Sequence, residues 1–188
     1  MQMKDLIIFY EIIVRGNAKG GVLYAPKSWV RPIARDGEVV LNWQSLKVEL
    51  RNGPYRNFNM CVGTANVISE DFKAAIQEVI GDVPDLEFLP IMATSKEYGD
   101  RRYYIMHFTK IFDVIDEDNT IYVPNSNSII KLWLDYDKVK DLKIFNSQPY
   151  INDVIVSDDI RRLLKRKHLD DGIEFMPVYC EIKRHNNA

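Results

Sequence analysis

One pattern occurs twice in this chain, and it limits what the chain can fold into more than any other feature. Asn66-Val-Ile-Ser-Glu-Asp-Phe-Lys-Ala-Ala-Ile runs on to Leu86-Glu-Phe-Leu-Pro-Ile. Asp153-Val-Ile-Val-Ser-Asp-Asp-Ile-Arg-Arg-Leu-Leu runs on to Ile173-Glu-Phe-Met-Pro-Val. Each copy has an apolar lead-in, a serine, two acids, an apolar-periodic run, a turn and a Glu-Phe-x-Pro strand. Ser69 and Glu87 stand 18 positions apart and Ser157 and Glu174 stand 17 apart, so one insertion in the turn covers the difference. Each serine can accept a hydrogen bond from a free backbone N–H at a helix start. Glu70, Asp71, Asp158 and Asp159 then occupy the first turn, where the positive end of the helix favours anions. Phe72, Ile76, Val79 and Ile80 keep helical spacing, as do Ile160, Leu163 and Leu164. Helices are therefore expected over roughly 69–80 and 157–168. Gly81 and Gly172 mark the turns beyond them. Pro90 and Pro177 lack a ladder donor, which suggests edge strands or strand ends. Two copies 88 positions apart are not a solenoid, which needs at least ~3 short repeats.

The rest of the chain reads mainly as strands. Residues 6–14 are β-branched and aromatic enough for a buried strand. Val22 to Tyr24, Val39 to Leu41 and Leu46 to Leu50 are further strand candidates, with a turn at Asn17 to Gly21 and a hairpin-like turn at Asp36-Gly37. Tyr103 to Ile115 is the longest strand-like run. Its alternation puts Tyr104, Met106 and Phe108 on one face and Ile105 and His107 on the other. A change of register near Lys110 points to a bulge or to two strands. Thr120 to Val123, Ser128 to Leu134, Lys143 to Phe145 and 173–182 complete the set. Asp135-Tyr-Asp reads as a turn, and Lys183 to Ala188 as a frayed tail. The expected class is α+β: mostly antiparallel sheet, two main helices and an internally repeated strand-helix-strand unit. No linker divides residues 1–188, so one domain is expected, with an N-terminal β subregion at 1–56 and the repeat-bearing region at 57–183.

Composition matters here for what it disfavours. A net charge of −2 gives no bulk attraction to nucleic acid. Two cysteines form no disulfide framework and suit a reducing compartment. Leu6-Ile-Ile-Phe-Tyr is too short to span a bilayer and is broken by charge. A cytoplasmic protein is expected.

Few residues suggest chemistry. Cys61 could serve as a nucleophile with His107 as base and Asp113 as orienter, but nothing local lowers its pKa, so a buried structural cysteine is the stronger reading. Cys180 reads the same way. His107, His168, His185 and the two cysteines form no close ligand pair, so no metal is expected. Gly16 to Gly21 lacks the lysine-serine pair of a phosphate loop and reads as a hairpin turn. Arg161, Arg162, Lys165, Arg166 and Lys167 make the second helix basic, which is ordinarily a solvated face and otherwise an anion or nucleic-acid contact. Trp29, Trp43 and Trp133 fit a core or an interface. Asp113, Asp116, Glu117, Asp118, Asp135, Asp137 and Asp141 stand against Lys131, Lys138 and Lys140, an excess of four acids (7 minus 3). Ordinary acidic turns explain it; the alternative is a patch that meets a basic partner. Asp116, Glu117, Asp118, Asp135 and Asp137 are the candidate partner-binding residues. No catalytic residue and no cofactor is assigned.

The second copy of the pattern, together with Tyr103-Tyr-Ile-Met-His-Phe-Thr-Lys-Ile-Phe-Asp-Val-Ile-Asp before an acidic turn, resembles the immunity proteins of bacterial polymorphic toxin systems, notably families eleven and forty-three. The likeness covers roughly residues 60–180. It implies a protein without catalytic activity, made beside a toxin, that binds the toxic domain and protects the producing cell. The expected partner is therefore a cognate toxin protein, with no membrane and no nucleic acid.

Overall fold

The computed structural model describes residues 6–15, 20–26, 37–61, 65–147 and 153–182. In chain order the elements are β1 (Leu6–Val14), β2 (Val22–Tyr24), β3 (Leu46–Arg51), β4 (Phe58–Cys61), β5 (Ala65–Ser69), α1 (Glu70–Ile80), β6 (Leu86–Thr94), β7 (Arg101–Phe108), β8 (Ile121–Tyr122), β9 (Ile129–Lys131), β10 (Trp133–Asp135), α2 (Tyr136–Val139), β11 (Ile144–Phe145), β12 (Ile155–Ser157), α3 (Asp158–Arg166) and β13 (Ile173–Glu181). The class is α+β with mostly antiparallel sheets, as expected. α1 and α3 are the two main helices.

One sheet runs β10-β13-β1-β12-β11, a second runs β2-β3-β6-β7-β5-β4, and β8-β9 forms a separate hairpin. Among the described strands, β10 with β13 and β3 with β6 pair in parallel and the other ladders are antiparallel. Each stretch singled out in the sequence is a split strand–helix–strand unit. β7 lies between β5 and β6; β1 lies between β12 and β13. The orders β3-β6-β7-β5-β4 and β10-β13-β1-β12-β11 agree in sequence and in strand sense. They differ in the source of the inserted strand: β7 follows its unit directly, whereas β1 comes from the start of the sequence. That the likeness records one repeated unit stays a proposal.

The two helices meet and fill the main core. Phe72, Ala75 and Ile76 of α1 and Ile160, Leu163 and Leu164 of α3 join Ile12 and Val156 of the β1 sheet and Phe58, Ile68, Tyr104, Met106 and Phe108 of the β7 sheet. Burying each large side chain here stabilises by about 1.5–3 kcal/mol. The alternation read along β7 holds: Ile105 faces away from that core, into a second cluster with Val48, Leu89 and Ile91. A third cluster backs the β1 sheet with Phe9, Leu134, Phe145 and Val178.

Several expectations change. Pro90 and Pro177 lie in interior strands, not edge strands. The parallel ladders begin only beyond them, at Leu46↔Ile91 and Trp133↔Tyr179, so each proline stands where its strand has one neighbour. Val39 to Leu41 is a loop, because Val39 and Leu41 are exposed and the Val40 N–H goes to the Glu87 carboxylate instead of a ladder. The long run from Tyr103 stops pairing at Phe108, and only single bridges at Phe112 and Ile115 follow. Ser128 to Leu134 divides into β9 and β10. Asp135 caps a four-residue helix, accepting from the Asp137 N–H, where a turn was expected. The readings at Gly16 to Lys19, Trp29, Asp36 and Lys183 to Ala188 lie outside the described residues.

The two serines share a backbone conformation, with φ −70° and ψ 165° at Ser69 and φ −69° and ψ 163° at Ser157. Their side chains differ. Ser69 Oγ accepts from the Phe72 N–H at 3.2 Å and donates to Asn57 at 2.9 Å. Ser157 Oγ is buried, makes no capping bond and has no partner among the described residues. Ser69→Ala should therefore cost ~1 kcal/mol. Ser157→Ala should be neutral or slightly stabilising, since it removes a buried hydroxyl left unsatisfied. Denaturant titration of both variants checks the difference; equal losses would refute it.

Candidate interaction site

The acidic turns flagged in the sequence come together at one edge of the β1 sheet. Residues 114–116 run antiparallel beside β10: the Asp135 N–H donates to the Val114 carbonyl at 2.8 Å and the Asp116 N–H to the Trp133 carbonyl at 2.9 Å. This brings 113–118 alongside 133–137. The five candidates do not have equal roles. Asp116 is buried at 4 % exposure, and its carboxylate accepts from the Asp118 N–H and the Asn119 side chain. It builds the turn rather than the surface. Asp135 is half-buried at the α2 cap. Glu117 and Asp118 are exposed, and Glu117 accepts from the Tyr122 hydroxyl at 2.6 Å. Asp137 is exposed and pairs with Lys140, while Asp113 pairs with Lys138. Such exposed pairs are worth ~0–1 kcal/mol and yield readily to a partner. Beside this edge projects the β8-β9 hairpin, with Ile121 and Ile130 exposed.

The other candidates resolve differently. Cys61 is buried, and burial pushes its thiol up to about 11, the reverse of what a nucleophile needs. β5 lies between β4 and β7, so Cys61 and His107 sit two strand spacings apart, ~9–10 Å. His107 is buried, its Nε2 2.6 Å from the Glu38 carbonyl. Asp113 is exposed on the opposite sheet's flank. The three are not assembled. Cys180 is likewise buried, its thiol also pushed up to about 11. Among the described residues no three His, Cys, Asp or Glu side chains group to hold a metal. No described helix is long and apolar enough to cross a membrane.

The basic helix is paired with acids over part of its length. Arg161 and Arg162 both pair with Asp158, Lys167 pairs with Glu78 of α1, and Lys165 lies over the Phe175 ring. Arg166 lines a shallow groove of mixed charge with Glu78, Asp159 and Arg162.

Sequence reading passed over one ionisable pair, because its members lie far apart along the chain. Glu11 on β1 meets Asp153 just before β12. Burial first, then the Asp153 charge and a hydrogen bond to it, push Glu11 up to about 7; burial raises Asp153 as well. The hydrogen bond between them raises Glu11 and lowers Asp153, so Glu11 is the carboxyl that keeps its proton. Glu11 keeps that proton in the folded state at pH values where the unfolded chain, with an ordinary carboxyl near 4.5, has lost it. Its contribution to stability is therefore full below about 4.5 and lost as pH rises towards about 7. Glu11→Gln should flatten the fall in unfolding free energy between pH 5 and pH 8; an unchanged slope would refute the retained proton.

No curated protein matches the chain. A family model described as an immunity protein family, Imm11, matches residues 47–180, well over half of the 188. The match begins inside β3 and ends inside β13, taking in both split units, the helix pair and the acidic edge. The chain belongs to the Imm11 immunity protein family.

Proposed function

We propose that this protein neutralises a cognate toxin by binding its toxic domain, in the cytoplasm of the bacterium that makes both, and that it does so without catalysis. Membership of the immunity family over residues 47–180 carries the reading. The acidic edge supports it. Exposed carboxylates gathered on one rim raise the rate of encounter with a basic surface and penalise wrong partners. The separation of Cys61 from His107 and the net charge of −2 support it over an enzyme or a nucleic-acid binder.

Co-expression with the toxin encoded beside it tests the function: cells making both should grow, and cells making the toxin alone should not. Failure of this protein to rescue growth while folded would sink the reading. Reversing Glu117, Asp118 and Asp137 to lysine should slow association with the purified toxin domain by about 10-fold at low salt and flatten its salt dependence. Asp116 is left intact in that variant, because its carboxylate holds the turn. Unchanged kinetics would remove the acidic edge from the interface.

A further inference from the structure

Among the described residues, α3 covers the face of the β1 sheet that receives it along only part of its length. Register places Ile12–Phe175 and Tyr10–Pro177 on this face, followed by Ile8–Tyr179–Trp133 and then Leu6–Glu181–Asp135. α3 covers the first part, with Arg161 over the Tyr10 ring and Lys165 over Phe175. Ile8, Trp133 and Tyr179 belong to none of the three core clusters and are half-buried, while Leu6 beside them is exposed. The Trp133 and Tyr179 rings lie 5.6 Å apart. Among the described residues it is the Lys131 ammonium that sits over both, 4.8 Å and 5.0 Å from their centroids. One same-face position further along, ~7 Å away, the paired residues Asp135 and Glu181 bring two carboxylates.

This is an aromatic platform with an acidic border, and the chain's own lysine shows what chemistry it accepts. We propose that it docks a basic segment of the toxin domain, with an arginine side chain displacing Lys131, stacking on Trp133 and Tyr179 and pairing with Asp135 and Glu181. The proposal rests on the toxin-binding reading above. An arginine fits better than the resident lysine because its planar guanidinium stacks on a ring and engages a carboxylate with two N–H groups at once. Lys131 is exposed, so its head can swing into water when displaced. A polyanion is excluded by the same carboxylates.

The test uses the full chain and the purified, catalytically inactivated toxin domain encoded beside it, with binding kinetics and thermal melts for every variant. Trp133→Ala and Tyr179→Ala should each weaken binding ~30-fold or more, mainly by faster dissociation. Lys131→Glu, at an exposed position outside the cores, should speed association about threefold to tenfold at low salt, a gain that a merely structural role would not produce. If the wild type binds and the two alanine variants stay within about threefold of it, the platform is not the docking site although the toxin-binding reading stands. If Lys131→Glu leaves association unchanged or slows it, the arginine assignment falls even where an alanine variant fails to fold. No binding by the wild type overturns both proposal and reading. A wild-type dimer that Trp133→Ala converts to monomer assigns the face to a second copy and overturns the proposal.

Discussion

The packing of α1 against α3 holds the two sheets in one body. Phe72 and Ile76 from one helix and Ile160 and Leu164 from the other are fully buried, and each also touches strands of a sheet. The sheets meet through this joint, with β1 and β4 touching beside it. Truncating one such side chain to alanine typically costs 2–5 kcal/mol, against a total stability for ordinary domains of about 5–15 kcal/mol. The surface pair between Lys167 and Glu78 at the joint's rim contributes much less.

What the chain reveals before folding is local, and so are the parts of the fold that could be read from it. Ser69 with Glu70 and Asp71, and Ser157 with Asp158 and Asp159, announce helix starts within a few residues, and both helices begin there. The period-two pattern from Tyr103 to Phe108 assigns each face of β7 correctly. Pairing between distant strands leaves no such mark. Nothing near Pro90 or Pro177 says that β3 and β10 will lie alongside further on, so a missing donor looks like an edge. Nothing near Val39 says that Glu87 will take its neighbour's N–H. The different fates of Ser69 and Ser157 have the same origin: Asn57, twelve residues away, accepts from the Ser69 hydroxyl, and Ser157 Oγ has no such partner among the described residues.

The acidic edge was legible as charge and illegible as geometry. Asp116, Glu117 and Asp118 are adjacent acids in the sequence, yet one is spent on a turn and two face outward. The distinction depends on Asn119, whose amide fills the Asp116 carboxylate. The basic run on α3 reads as a solvated face, and there Asp158 and Glu78 pair with three of its five cations. Tyr179 and Glu181 carry no signal along the chain. An aromatic and an acid two positions apart on a strand are commonplace, and only the parallel pairing of β13 with β10 sets them beside Trp133 and Asp135.

The strand inserted into the second split unit has a bearing on how the molecule comes into being. The β7 sheet draws all its members from residues 22–108, so it can close while the remainder is still being synthesised. β1 leaves the ribosome before any of them, but the strands that flank it start only at Ile155 and Ile173. Until those arrive its ladder groups and the side chains of Phe9 and Ile12 have nowhere to go. Such a delayed, non-local pairing is slow and leaves sticky backbone in the open. Late closure of β1 thus sets both the final step of maturation and the period during which nascent chains are most prone to clump.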